Sequence, residues 1–293
     1  MVFLELQNRE RHAWLELSSK RRARLVAGVL CMSADPQAKK ALGQHWLHDA
    51  ASLDAMCVLA DVGQGDSVLE VGPGTGTLSE RLLQRGASVT AVELDQSLVA
   101  GLLAKFAGQD FSVRQESILQ TDLTQLPPRY KMVANIPYYL TSNLIRLISE
   151  SANPPATAVL LIQKEVAERV AAKPGDMSLL SVSAQFYWQV SLGPIVPAAL
   201  FSPPPKVDSQ ILVLERRARP LLPDIDARSY FRLVKAGFSN RRKTLLNSLS
   251  GGLQASKPQV TTWLAAAGLD PRVRPQQLSL DDWGALCRVV YPR

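Results

Sequence analysis

The chain has 293 residues, enough for one large domain with a small one beside it. Apolar residues make up 46% of it, and no run of 18 or more apolar residues occurs, so a real core is expected and a membrane span is not. The net charge of +7 favours a polyanionic partner without requiring one.

In chain order, Lys20-Arg21-Arg22-Ala23-Arg24 precedes the short apolar run Leu25 to Met32. The order resembles a signal peptide, but the basic run starts late and the apolar run is short, so export is not expected. Residues 1–35 are expected to be a mobile extension that the chemistry does not need, with Met32 able to serve as a start in its own right. From Ser67 to Glu215, short β-rich runs alternate with helical patterns. Strands are expected at Ser67–Val71, Ser88–Val92, Phe111–Gln115, Met132–Asn135, Ala158–Ile162 and Ile211–Leu214. Helices are expected at Leu78–Arg85, Ser97–Phe106 and Asn143–Glu150. That alternation predicts an α/β fold, a parallel sheet with helices on both faces. The basic, proline-containing stretch Arg216 to Pro223 reads as a linker. Beyond it Ala227–Phe238, Lys243–Leu249, Val260–Ala267 and Leu280–Val290 read as helices of a small helical domain. The expected division is an extension over 1–35, a catalytic domain over 36–216 and a helical domain over 217–293.

The three cysteines (Cys31, Cys57, Cys287) lie far apart, and the three histidines (His12, His45, His48) have no metal-ligand spacing. Neither zinc nor a disulfide is expected, which suits a reducing, cytoplasmic setting.

Val68 to Gly76 reads as a strand entering a turn with glycines at 72, 74 and 76. Glycine permits positive φ and close approach of a ligand to the backbone. The turn falls at the carboxyl end of the first strand, where open α/β sheets bind ligands. Glu93 ends the second strand, the position of the acid that accepts from ribose hydroxyls. The GxGxG spacing differs from the GxGxxG of dinucleotide enzymes and resembles the first motif of class I methyltransferases. A nicotinamide or flavin enzyme, and a purely structural turn, stay open at this point. Glu116 follows the third strand, where such folds place a carboxylate near the adenine amine.

Asn135-Ile136-Pro137-Tyr138 follows the fourth strand. The exocyclic amine of adenine is a poor nucleophile because its lone pair is delocalised into the ring. Acceptors on its two hydrogens would draw it towards tetrahedral geometry. The Asn135 side-chain carbonyl and the Ile136 or Pro137 backbone carbonyl are candidates. Pro137 fixes φ and has no N–H, and Tyr138 offers a stacking face. Positioning and polarisation would carry the catalysis. The base would have to be unpaired or flipped out of a duplex to reach such a loop.

Four further segments carry a resemblance: Lys39 to Leu47, Gln163 to Arg169, Phe201-Ser202-Pro203-Pro204-Pro205-Lys206-Val207-Asp208-Ser209, and Asn240-Arg241-Arg242-Lys243-Thr244-Leu245. With the two loops above, the chain from Lys39 onward resembles the small-subunit ribosomal RNA adenine dimethyltransferases of the KsgA type. The resemblance implies a class I methyltransferase sheet, S-adenosylmethionine as cofactor, and two methyls on each of two adjacent adenines in a terminal hairpin loop of small-subunit rRNA. It implies cofactor contacts at His45, Leu47, Gly72, Gly74, Glu93, Glu116 and Asn135, and Phe201 facing Tyr138 as the second aromatic wall of the base pocket. His45 stands where the bacterial family commonly has Asn, and Glu116 where it has Asp; each can still form a hydrogen bond.

From Arg216 to Lys243 nine Lys/Arg stand against two acids. The patch suits phosphates, and Arg241, Arg242 and Lys243 are its expected RNA contacts. The expected partner is small-subunit rRNA within a subunit precursor, met by a monomer. Two other readings remain: an erythromycin-resistance-type methyltransferase of large-subunit rRNA, and an assembly factor that has lost its chemistry. The proline-rich and Asn-Arg-Arg-Lys strings speak against the first, and Gly72, Glu93 and Asn135 against the second.

Overall fold

A computed structural model describes residues 38, 39, 42–218, 221–240 and 242–292, within one compact unit. The extension expected over 1–35 lies outside the described residues. Nine strands occur among the described residues: β1 (Trp46–Leu47), β2 (Ser67–Val71), β3 (Ser88–Glu93), β4 (Phe111–Gln115), β5 (Lys131–Asn135), β6 (Thr157–Gln163), β7 (Trp188–Val196), β8 (Phe201–Ser202) and β9 (Ser209–Arg216). Seven form one sheet in the order β4-β3-β2-β5-β6-β9-β7, and β1 pairs with β8 separately.

The first five sheet strands run parallel, as expected. The expectation of a wholly parallel sheet is corrected at one edge, where β9 is antiparallel to β6 and β7 antiparallel to β9. No α-helix crosses between β7 and β9, only a short 3-10 turn at Ala198–Leu200, and a parallel neighbour usually needs a helical crossover.

Helices α1 (Ala50–Leu59), α2 (Thr77–Gln84), α3 (Gln96–Lys105), α4 (Thr141–Glu150), α5 (Lys164–Val170) and α6 (Leu179–Tyr187) flank this sheet. Successive side chains of a strand point to opposite faces, and the cores divide accordingly. On β5 and β6, Met132, Ala134, Ala158, Leu160 and Ile162 pack on one face with Leu144, Ile145 and Ile148 of α4. Val133, Val159 and Leu161 pack on the other with Leu53 and Met56 of α1 and Leu82 of α2. Each fully buried aliphatic side chain contributes about 1.5–3 kcal/mol relative to exposure.

After β9 come α7 (Ala227–Gly237), α8 (Leu245–Leu253), α9 (Lys257–Ala266) and α10 (Leu280–Val290). Their starts carry the expected chemistry. Asp226 caps α7 through Ser229 N–H, and Ser279 and Asp282 form a capping box on α10. Tyr230, Leu233, Leu249, Leu264 and Trp283 form a third core, which Val182 and Phe186 of α6 also enter. Helix α6 is therefore shared, since its Ala184 faces the sheet core.

Candidate active site

The sheet order reverses around β2, which lies between β3 and β5. Carboxyl ends of strands at such a point form a crevice. A cavity of about 290 Å³ opens there, lined by β1, the loops after β2, β3, β4 and β5, and Phe201. Every sequence-predicted cofactor and catalytic residue lines it.

The loop after β2 is held open by positive φ at Gly72 (68°), Gly74 (57°) and Gly76 (79°). A side chain at Gly74 would meet the Trp46 indole at 3.0 Å, so β1 lies directly over the loop. Gly76 starts α2 without a side-chain cap, leaving its first N–H groups to whatever lies beyond. Glu93 is 5% exposed. Its carboxylate accepts Asp95 N–H at 2.7 Å and Gly74 N–H at 3.3 Å. Burial raises its pKa, against those backbone donors, which favour the charged form. A carboxylate has about four acceptor sites, so two remain for hydroxyl groups. Glu116 accepts from the Thr121 hydroxyl at 3.0 Å. The indole Nε1 of Trp46 and the Thr75 hydroxyl are buried without a hydrogen-bond partner. Positive-φ glycines, a buried acid with spare acceptor sites and unpartnered polar atoms together fit an adenosyl and methionyl ligand.

The segment before β1 is tied down at Asp95, the N-cap of α3. Lys39 Nζ reaches it at 2.7 Å and Gln44 Nε2 at 3.2 Å. Burial alone would raise the Asp95 carboxyl, but the bonds from Lys39, Ser97 and Gln44 outweigh it and hold the pKa at about 2.

At the end of β5, Asn135 Nδ2 donates to the His45 backbone carbonyl at 3.1 Å. The Pro137 carbonyl accepts from Leu140 N–H at 3.0 Å. Of the two backbone acceptors expected on the target amine, Ile136 therefore stands less committed. The Tyr138 hydroxyl shares a 2.9 Å hydrogen bond with Ser209 of β9, which fixes its ring. Burial raises the Tyr138 pKa, against the Ser209 bond, so the phenol is neutral.

Phe201 borders the same cavity as Tyr138, with only 5% of it exposed and the rest packed in the second core. The ring parallel to Tyr138 is His45, with centroids 6.1 Å apart and planes at 21°. His45 Nδ1 is 2.7 Å from the Pro203 carbonyl, so that nitrogen carries the donated proton. The Phe201 to Ser209 string thus meets the site three times: Phe201 pairs with Leu47, Pro203 holds His45, and Ser209 holds Tyr138.

Sequence reasoning missed Trp46, Glu70 and Tyr139. Tyr139 lines the cavity with 59% of its surface exposed. Its ring lies against Gly43, and aromatic character beside the Asn135 loop was the available signal. Glu70 is buried in β2, where its carboxyl accepts from Ser79 of α2 at 2.5 Å. Burial, only partly opposed by Ser79, pushes it up to about 8.

Of the expected RNA contacts, Arg242 and Lys243 are exposed in the turn between α7 and α8. Arg241 lies outside the described residues. The turn is closed by Asn240, whose side chain accepts from Arg242 N–H at 3.2 Å.

The profile of the ribosomal RNA adenine dimethylase family matches residues 36–288. The chain belongs to that family. This dimethylase is 42% identical to a ribosomal RNA small subunit methyltransferase A of Dehalococcoides mccartyi over 255 residues, covering 86% of this chain and 88% of the relative. Against the protein of that name from Parasynechococcus marenigrum it is 44% identical, covering 86% and 87%. Its fold is similar to a crystal structure of a dimethyladenosine transferase from Plasmodium falciparum, with TM-score 0.69 and 26% identity over 83% of this chain and 96% of that one. It is also similar to the 23S rRNA methyltransferase ErmE, with TM-score 0.67 and 27% identity over 83% and 98%. The dimethylase is therefore an S-adenosylmethionine-dependent rRNA methyltransferase of the class I fold. No helix among the described residues is long and apolar enough to cross a membrane.

Proposed function

We propose that this dimethylase places two methyls on the N6 amine of each of two adjacent adenosines in a terminal hairpin loop of small-subunit rRNA, as a cytoplasmic monomer acting on a subunit precursor. The observation that carries this reading is the Asn135 loop, which opens into the same cavity as Gly72 and Glu93. The names of the sequence relatives favour the small subunit over the large one, although the ErmE fold is equally alike.

The bound cofactor supplies an electrophilic methyl group. Glu93 accepts from its ribose hydroxyls, Glu116 from its adenine amine, and Gly72 and Gly74 let the backbone approach it, with His45 and Leu47 covering it. The target base lies on Tyr138, with His45 as the second ring of its pocket and Phe201 as the packed wall behind. Asn135 Oδ1 and the Ile136 carbonyl accept the two amine hydrogens, which localises the lone pair for attack. No strong general base is required, because the methylated amine is acidic enough to release its proton to water. Residues 36–216 form the catalytic part and residues 217–293 the RNA-binding part, with Arg241, Arg242 and Lys243 on phosphates.

Primer-extension mapping of rRNA from cells lacking the protein tests the assignment. The expected result is loss of two adjacent stops in small-subunit rRNA. Stops lost only from large-subunit rRNA would replace this reading with the erythromycin-resistance type, and no lost stop would favour an assembly factor.

A further inference from the structure

Among the described residues one aromatic side chain stands open to solvent, and it stands at the mouth of the cofactor cavity. Tyr139 is 59% exposed, while every other described Phe, Tyr and Trp is buried or half-buried. Leu94 and Leu119 line the same cavity and are exposed as well. A single apolar side chain on a surface is ordinary. Here the open ring belongs to an apolar rim, and it is next in sequence to the ring that carries the target base in the proposed reaction.

The short 3-10 turn Tyr138–Leu140 sets the two rings apart. At about three residues per turn, successive side chains diverge by roughly 120°. Tyr138 turns inward, where Ser209 holds its hydroxyl at 2.9 Å, and Tyr139 turns outward. The segment entering β1 meets both. His45 lies parallel to Tyr138, whereas Gly43 lies against Tyr139. Gly43 has a φ of +62°, and a Cβ built there would stand 3.7 Å from the Tyr139 ring and 3.5 Å from Pro137. That backbone conformation disfavours any larger residue. Tyr138 therefore has a ring across from it, and Tyr139 has bare backbone. The backing is held in place, because Gln44 donates to Asp95 at 3.2 Å.

A base enters the Asn135 loop only after leaving its stack. The nucleotide beside it then loses a stacking partner, and an exposed ring at the mouth of the pocket replaces that partner. Consecutive residues of one turn thus face consecutive nucleotides of one strand. Stacking requires a π-face rather than a particular set of hydrogen bonds, so it tolerates any base at that position.

We propose that Tyr139 forms a second base subsite, on which the unpaired nucleobase next to the target stacks while Tyr138 holds the target. The inference rests on the reading that an unpaired adenosine enters the Asn135 loop. In the proposed substrate the neighbour is the other adenosine of the pair. Its stacking offsets the contact broken when the target is extruded, and it sets which base of the pair lies in the pocket. Tyr139 touches the substrate away from the reacting atoms, so its effect falls on substrate binding.

The test compares the full chain with Tyr139→Phe and Tyr139→Ala. On small-subunit particles from cells lacking the protein, Tyr139→Ala should raise the KM for particles by about 5–150-fold, the equivalent of one stacked base at roughly 1–3 kcal/mol. Tyr139→Phe should match the native chain, and calorimetry should give all three the same cofactor affinity. The second readout uses synthetic hairpins of the small-subunit terminal loop, with 2-aminopurine in place of one adenosine of the pair and S-adenosylhomocysteine present. Next to the target, the probe should be quenched by the native chain and by Tyr139→Phe, and should brighten with Tyr139→Ala. An unchanged KM for particles overturns the proposal. So does an equal loss with Tyr139→Phe, which would make the hydroxyl the contact, and so does a matching loss of cofactor affinity, which would make Tyr139 a support for the loop. If only a large-subunit rRNA hairpin shows the quench that depends on Tyr139, the small-subunit reading fails while this subsite stands.

Discussion

Asn135 donates its side-chain amide to the backbone carbonyl of His45 at 3.1 Å, joining the end of β5 to the residue that enters β1. That bond commits Nδ2 and leaves Oδ1 with no hydrogen bond among the described residues, so the acceptor is oriented before any base arrives. Asn135→Ala should lower single-turnover methyl transfer by a factor of about 10²–10³, equivalent to roughly 2.7–4 kcal/mol for one transition-state polar contact. A variant that keeps more than half the wild-type rate would remove Asn135 from the proposed role.

Glu93→Ala should weaken cofactor binding by about 1.5–3 kcal/mol while leaving RNA affinity as it was. The variant also strips the acceptor from Gly74 and Asp95 N–H groups, so its melting temperature has to be recorded beside the calorimetric titration. Equal loss of affinity for cofactor and RNA would count against a ribose contact.

Glu70 predicts a pH dependence of stability. Its carboxyl stands near 8 in the folded chain, against an ordinary value of 4.5. Between those values the native state holds a proton that the unfolded chain has released. Stability from this group is therefore full at acid pH and falls as pH rises towards 8, by at most about 1.4 kcal/mol per pH unit. Glu70→Gln keeps an acceptor for Ser79 and removes the titration. Denaturant melts should show the variant gaining on the wild type as pH rises, and parallel curves would show that Glu70 is already ionised in the fold.

In the helical layer, a side chain at Gly237 would come within 2.3 Å of the Trp283 ring and 3.2 Å of Leu245. Trp283 is fully buried and cannot withdraw without disturbing the third core. Gly237→Ala should cost about 1–3 kcal/mol from overpacking, reduced by the roughly 1 kcal/mol that alanine gains over glycine in a helix. A net rise in the denaturation midpoint would show that the ring moves freely.

Much of the sheet was legible because β2, β3, β4 and β5 are short β-rich runs between helical patterns, each placed within a residue or two. Strand β7 was missed because Gly193 and Pro194 interrupt it, and its register shifts at that point. The β1–β8 pair is two residues long and joins distant segments, so no local period announces it. The site residues were named from motifs, and the cavity brings those motifs together. What sequence could not supply was mutual orientation. Phe201 was expected to face Tyr138 and borders the same cavity, and the ring parallel to Tyr138 belongs to His45.

The pairing of Trp46 and Leu47 with Ser202 and Phe201 has a bearing on synthesis. A chain made from its amino end exposes β1 long before β8 exists. A chain cut off within β6 would carry Gly72, Glu93 and Asn135 with no partner for the strand that spans them. Closing so long a loop for two residue pairs is entropically costly, and it becomes favourable only once β9 has docked beside β6 and fixed the approach to Phe201. Cofactor competence should therefore arrive abruptly and late in translation, after β9 emerges, rather than growing as each motif leaves the exit tunnel.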